Sequence, residues 1–276
     1  MRTIRLLLPA TLLCTGAVIV SCGQRSTKKD KDAASVTVTS KAAQKNDSIP
    51  LSIDLSTGYA KTSIHKDSAQ TVWASFDSPG NESLYGRIVL PASNAGNLRF
   101  NQIISPEGNS DGPLGRDISY YLTQGGSYTL AIGESLMQGN PYDGNFIIEL
   151  YSGNKVPYEK PSNYFVRNDV DTTKTKILKL SSQEEFDAIF GMATTMSSRP
   201  TPIDFDKQFI VTVIGPPTDT DTRYDVAALM SKNGILTLAY NVTQGEKQSY
   251  TIRPFLMLAV NKEFDGMLNV VEPINF

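Results

Sequence analysis

His65 is the only histidine in the 276-residue chain. A Ser–His–Asp triad or a His-rich metal centre must use it or not exist. It stands between Ile64 and Lys66, where an ordinary surface histidine is expected. The Ser-x-x-Lys spacing of some acyl-transfer enzymes occurs at Ser26/Lys29, Ser63/Lys66 and Ser152/Lys155. The first pair falls in a polar stretch and the others beside loops, so the spacing alone carries little. The sequence has no phosphate-cradling glycine loop and no zinc motif. Acid–base catalysis needs two carboxylates at a set separation across a cleft, which spacing along a chain does not supply. Asp219, Asp221 and Asp225 could offer oxygen to calcium, but they lack the glycine and distal glutamate of an EF-hand loop. A solvated acidic loop is expected there. The reading is therefore of no catalytic residues, no cofactor and no metal.

One residue does carry a chemistry. Arg2 and Arg5 precede an apolar run over residues 6–20, broken by Pro9 and Thr11 and short for a membrane span. The run ends in Ile19-Val20-Ser21-Cys22-Gly23. A branched apolar residue three before a cysteine, with a small residue directly before it, resembles the bacterial lipobox. The resemblance implies a thioether-linked diacylglyceryl group on Cys22 and cleavage before it. Several acyl chains hold a membrane far better than one. Cys14 lies inside the leader, so the mature chain would have no free thiol and no disulfide.

Residues 22–48 contain no aromatic side chain and cannot bury enough apolar surface to fold. They read as a flexible tether. Lys28-Lys29-Asp30-Lys31-Asp32 loosely resembles the charged surface-export signals of Bacteroidetes lipoproteins. Ser48, Ser68 and Thr172, each after an aspartate, match the short pattern those bacteria O-glycosylate.

The elements beyond the tether fall into two sets. Net charge is −2, which gives nucleic acid no basic face to bind. Twenty glycines and fifteen prolines point to many turns and short strands. Over 49–152, strand-sized runs appear at 51–55, 70–76, 84–90, 98–104, 118–122, 127–132 and 145–151, without helical periodicity. They predict an antiparallel β-sandwich. Tyr120, Tyr121, Tyr128 and Tyr142 are expected to pack its edge or corner, the alternative being a ligand-binding aromatic face. Residues 153–164 carry two prolines and read as a linker.

Over 165–276 the order is a strand at 176–180, then a short helix. Ser182-Gln183-Glu184-Glu185 fits a capping box, and Gly191 is placed at the helix end. Strands follow at 209–214, 224–230, 235–243, 249–260 around Pro254, and 268–271, with a hairpin at Asn233-Gly234. The expected class is mainly β: a jelly-roll-like sandwich followed by an α+β domain with one short helix and a β-meander.

The first set, with "SPEGNSDGPLG", "DISYYLTQGGSYTLAIGE" and "GNPYDGNFIIELY", resembles the pre-peptidase C-terminal jelly rolls appended to secreted peptidases. That implies a module for binding or spacing. In the second, "SQEEFDAIF", "IDFDKQFIVTVIG", "RYDVAALMSKNGILTLAYNV" and "PFLMLAVNK" resemble the C-terminal domain of PrcB-type lipoproteins. The usual glycine-rich segment is replaced here by residues 216–222. That resemblance implies assembly with an exported protease and no chemistry of its own. The expected protein is a lipid-anchored accessory module in the cell envelope, with the outer membrane favoured and an exported protein as partner. The alternative is a glycan-binding surface lipoprotein.

Overall fold

Alternation of side chains along short strands builds the first half of the chain. In the computed structural model the described residues are 48–91, 96–135, 137, 141–193 and 199–274. Cys22, Cys14, the leader and residues 22–47 of the tether lie outside them. Nine strands come first: β1 (Ser48–Ile53), β2 (Tyr59–Lys66), β3 (Thr71–Ser78), β4 (Glu82–Val89), β5 (Leu98–Ile104), β6 (Ser110–Asp111), β7 (Asp117–Leu122), β8 (Gly126–Glu134) and β9 (Gly144–Lys155). One sheet runs β1-β3-β8-β5-β6, and β2 and β4 flank β9 in the other, with β7 beyond β4. All these pairs are antiparallel except β1 with β3. In β3, Val72, Ala74 and Phe76 point inward. They meet Leu84, Phe100, Leu130, Ile132, Phe146 and Ile148 in one apolar cluster between the sheets. This is the expected sandwich. Two of its strands, β2 and β6, were not expected.

The second half contains β10 (Tyr158–Glu159), β11 (Tyr164–Val166), β12 (Lys176–Leu180), α1 (Gln183–Asp187), β13 (Phe190–Met192), β14 (Gln208–Ile214), β15 (Thr218–Lys232), β16 (Ile235–Ile252), β17 (Phe255–Asn261) and β18 (Met267–Val271). One sheet has the order β10-β17-β14-β12. Every residue of β14 from Phe209 to Ile214 is buried, because both faces of this sheet are covered. Phe209, Val211 and Val213 face the β15–β16 hairpin. Ile210 and Ile214 face α1 and its neighbours. A strand buried on both sides reads as a continuous apolar run rather than an alternating one. The chain leaves this sheet after β14, makes the hairpin, and returns as β17 beside β14. The β-rich run thus contains an excursion into a second sheet. At the hairpin tip Asn233 and Gly234 both have positive φ, 51° and 75°, as the type I′ turn requires.

Several local expectations change. Residues 153–164 are not a free linker: β9 continues to Lys155 and β10 pairs with β17. Gly191 does not end the helix, which stops at Asp187, and lies instead in β13. The run at 249–260 is two strands, broken at Arg253-Pro254, because proline has no N–H to give a ladder. Asp219 and Asp221 sit in β15 rather than in a loop.

The two halves share one sheet. Residues 154–155 at the end of β9 pair with 230–231 of β15, so the seven-stranded sheet runs from β18 to β7. Lys232 bridges to Glu82 at 2.8 Å and donates to Ser152 Oγ at 2.9 Å. Asn233 donates to Ser56 O. The hairpin also covers a tyrosine row on β2, β9 and β4: Tyr59 and Tyr85 flank buried Tyr151 at 5.0 and 5.8 Å. Beside the row, Arg87 pairs with buried Glu149 and reaches across to Asn241 at 2.7 Å.

Candidate interaction surface

Tyr164 to Val166 alternates in, out, in. Val166 is buried and Tyr164 packs edge-on against Phe186 at 5.1 Å, its hydroxyl donating to Thr201 O. Burial raises the Tyr164 hydroxyl above its usual range. Phe186 stacks on Phe190 at 5.1 Å and touches Phe205 at 5.7 Å, while Phe190 touches Phe255. The residues that carry the second-half resemblance, Phe186 of the helix and Phe205 of the Ile-Asp-Phe loop, therefore meet inside this cluster. Their work is to build the fold.

The helix is set by its first turn. Ser182 Oγ accepts from Glu185 N at 3.2 Å, as the capping box predicts. The reciprocal bond is shifted by one residue: the Glu185 carboxylate accepts from Ser181 N at 2.6 Å.

Phe165 is the outward residue of the ribbon and is 46% exposed. It pairs across the strands with Gly191. A Cβ on Gly191 would lie 2.5 Å from the Phe165 ring, so the missing side chain is what lets the ring lie there. An aromatic covering a cross-strand glycine holds both in register. The ring lines two neighbouring grooves. One, of about 410 Å³, is bounded by Asn168, Pro217, Thr251, Arg253 and Phe255. The other, of about 340 Å³, is bounded by Arg167, Asn168, Asp169 and Gly191. Arg253 fixes the loop between them by donating to the carbonyls of Arg167, Asn168 and Val170 at 2.7–3.2 Å. The Arg167 guanidinium holds the Asp169 carboxyl below its ordinary value. Met192, 61% exposed, closes the end of the ribbon. An aromatic anchor on a rigid base beside preformed grooves is suited to protein contact.

The other candidates are dispersed. Asp219 pairs with Lys247, Asp221 with Arg223 and Asp225 with Lys160, so the three do not converge. Ser152 is buried and meets Lys232, not Lys155. Ser63 and buried Lys66 point to opposite faces of β2. Ser26 and Lys29 lie outside the described residues. Tyr128 and Tyr142 are core residues and Tyr120 packs against the core. Among the described residues of the first half, Tyr121, 56% exposed, is the one aromatic with more than half of its surface open. Thr172 is buried, which closes it to glycosylation in the folded chain, whereas Ser68 is half-exposed. The side chain of Ser48 lies outside the described set. His65 is exposed at the end of β2, beside Asp67 and Asp143. Sequence reading set aside His65 and missed Phe165. An aromatic beside a buried one in a three-residue strand leaves almost no pattern to find.

No family model matches the chain, and no curated protein matches it. Among solved structures, it is similar to the Aeromonas hydrophila PliG, a periplasmic lysozyme inhibitor of g-type lysozyme. The identity is 9% and the TM-score 0.30, over 38% of this chain and 99% of that one. A likeness at that level carries no argument about function.

Proposed function

We propose that the chain is an exported lipoprotein, anchored by acyl groups on Cys22, whose C-terminal half binds another exported protein. An envelope protease is the first candidate partner, on the strength of the PrcB-type resemblance. The observation that carries the binding role is Phe165: half-exposed, seated on Gly191 above a buried aromatic cluster, and lining two grooves. Pre-organised aromatic anchors concentrate binding energy because little side-chain entropy is lost on contact. The anchor is supported by the lipobox-like run before Cys22, with the outer membrane as its expected home.

The test is a photo-crosslinking residue at position 165 of the full chain in its native envelope, with position 121 as exposed control. One dominant protein adduct at 165, absent at 121, is expected. Equal, diffuse labelling at both positions sinks the binding role. Fatty-acid labelling lost in Cys22→Ala supports the anchor, and labelling retained in that variant refutes it.

A further inference from the structure

His65, Asp67 and Asp143 come together at one end of the sandwich. His65 lies near the end of β2, Asp67 follows that strand, and Asp143 precedes β9. One ligand atom from each lies within 4.8 Å of the others. His65 Nδ1 is 3.0 Å from Asn145 Oδ1, a contact that an Nδ1–H donor satisfies. In the neutral ring the lone pair is then on Nε2, which faces Asp67 Oδ1 at 3.4 Å. A proton on Nε2 would join the two atoms as an ion pair, and a metal ion between them would do so with Asp143 as a third ligand. A ring whose other nitrogen is held by an outer hydrogen bond is the usual arrangement of a metal-ligating histidine.

The framework beneath is rigid. Lys66 is fully buried and pairs with Glu134. Its ammonium also donates to Asp67 O at 3.0 Å and Tyr142 O at 3.3 Å, and Glu134 accepts from Tyr142 N at 2.9 Å. One buried ion pair thus fixes the backbone at Asp67 and immediately before Asp143. Asp143 Oδ2 accepts from Ser68 N at 3.2 Å, tying the two chain segments directly. Apolar replacement of such a pair is often neutral or stabilising. Such a fixed backbone suits a ligand set, whose atoms must be held to within about 0.5 Å.

We propose that His65, Asp67 and Asp143 form a site for a divalent first-row metal ion. One imidazole and two carboxylates suit zinc, with the remaining coordination left to water. The site is separate from the Phe165 surface and stands or falls independently of it.

Because His65 is the only histidine, its ring protons give a single set of NMR signals. The experiment titrates zinc chloride into the full exported chain carrying Cys22→Ala and no polyhistidine tag. Saturable shifts of the His65 ring signals and one-to-one calorimetric binding are expected. His65→Ala and the isosteric Asp143→Asn should each weaken binding by about 10-fold or more. Zinc should raise the melting temperature of the parent chain but not of the variants, whose melting without zinc reports that they fold. Ring signals unmoved by millimolar zinc would identify a plain His65–Asp67 ion pair and overturn the site. Undiminished one-to-one binding in His65→Ala would do the same by placing the ion elsewhere.

Discussion

Phe186 is the one buried residue of its five-residue helix, and three aromatic rings close around it. Burying such a ring contributes roughly 1.5–3 kcal/mol. Deleting it adds the cost of the cavity left behind. Phe186→Ala is therefore expected to lower unfolding free energy by about 3–5 kcal/mol, read from urea denaturation. Ser182→Ala removes one bond to Glu185 N and should cost about 1 kcal/mol. The contrast separates the two contributions of the "SQEEF" segment. Its phenylalanine holds the core, whereas its serine and glutamate set only the helix start.

At the scale of elements, the turn at Asn233-Gly234 offers a clean test of backbone conformation. Nothing lies within 4 Å of a Cβ placed on Gly234, whose φ is +75°. Gly234→Ala then costs only the left-handed strain, about 1–2 kcal/mol in thermal or urea unfolding. At Gly153, φ is +147° and a Cβ would lie 2.7 Å from Ser231 O, so Gly153→Ala should cost more than Gly234→Ala. The hairpin was legible because its turn chemistry is local. Strands β5 and β12 were legible to the residue, since apolar runs and flanking turn residues bound them. Strand β2 was not, because two of its four inward positions hold Thr62 and Lys66 rather than apolar side chains. The same polar residue hid the His65 corner: a lysine in sequence looks solvated until Glu134 arrives from 68 residues away. Phe165 escaped notice for a similar reason, as its seat on Gly191 exists only across strands.

At the scale of the molecule, the two halves are joined by the shared sheet and by the covered tyrosine row. Burial, with Asp117 adding to it, pushes the Tyr85 hydroxyl up to about 12, and burial with Glu272 does the same for Tyr240. Tyr59 and Tyr151 are raised further by the same desolvation, with Glu149 adding to it. A raised tyrosine pKa means that the unfolded chain ionises first. The stabilisation is complete below about pH 10 and is lost as pH rises through about 12. Stability measured by denaturant should fall over that window, and Tyr85→Phe should flatten the fall. Trp73, the sole tryptophan, sits in β3 of the sandwich, so its fluorescence reports the first half alone. Phe186 lies in the second half, in a cluster that shares no residue with the sandwich core. If Lys232–Glu82, Arg87–Asn241 and the β9–β15 pairing make the halves one cooperative unit, Phe186→Ala should shift the Trp73 transition as far as the far-ultraviolet circular dichroism transition. A Trp73 midpoint left unmoved while the dichroism splits in two would show that the halves unfold separately, and that the shared sheet joins them without coupling them.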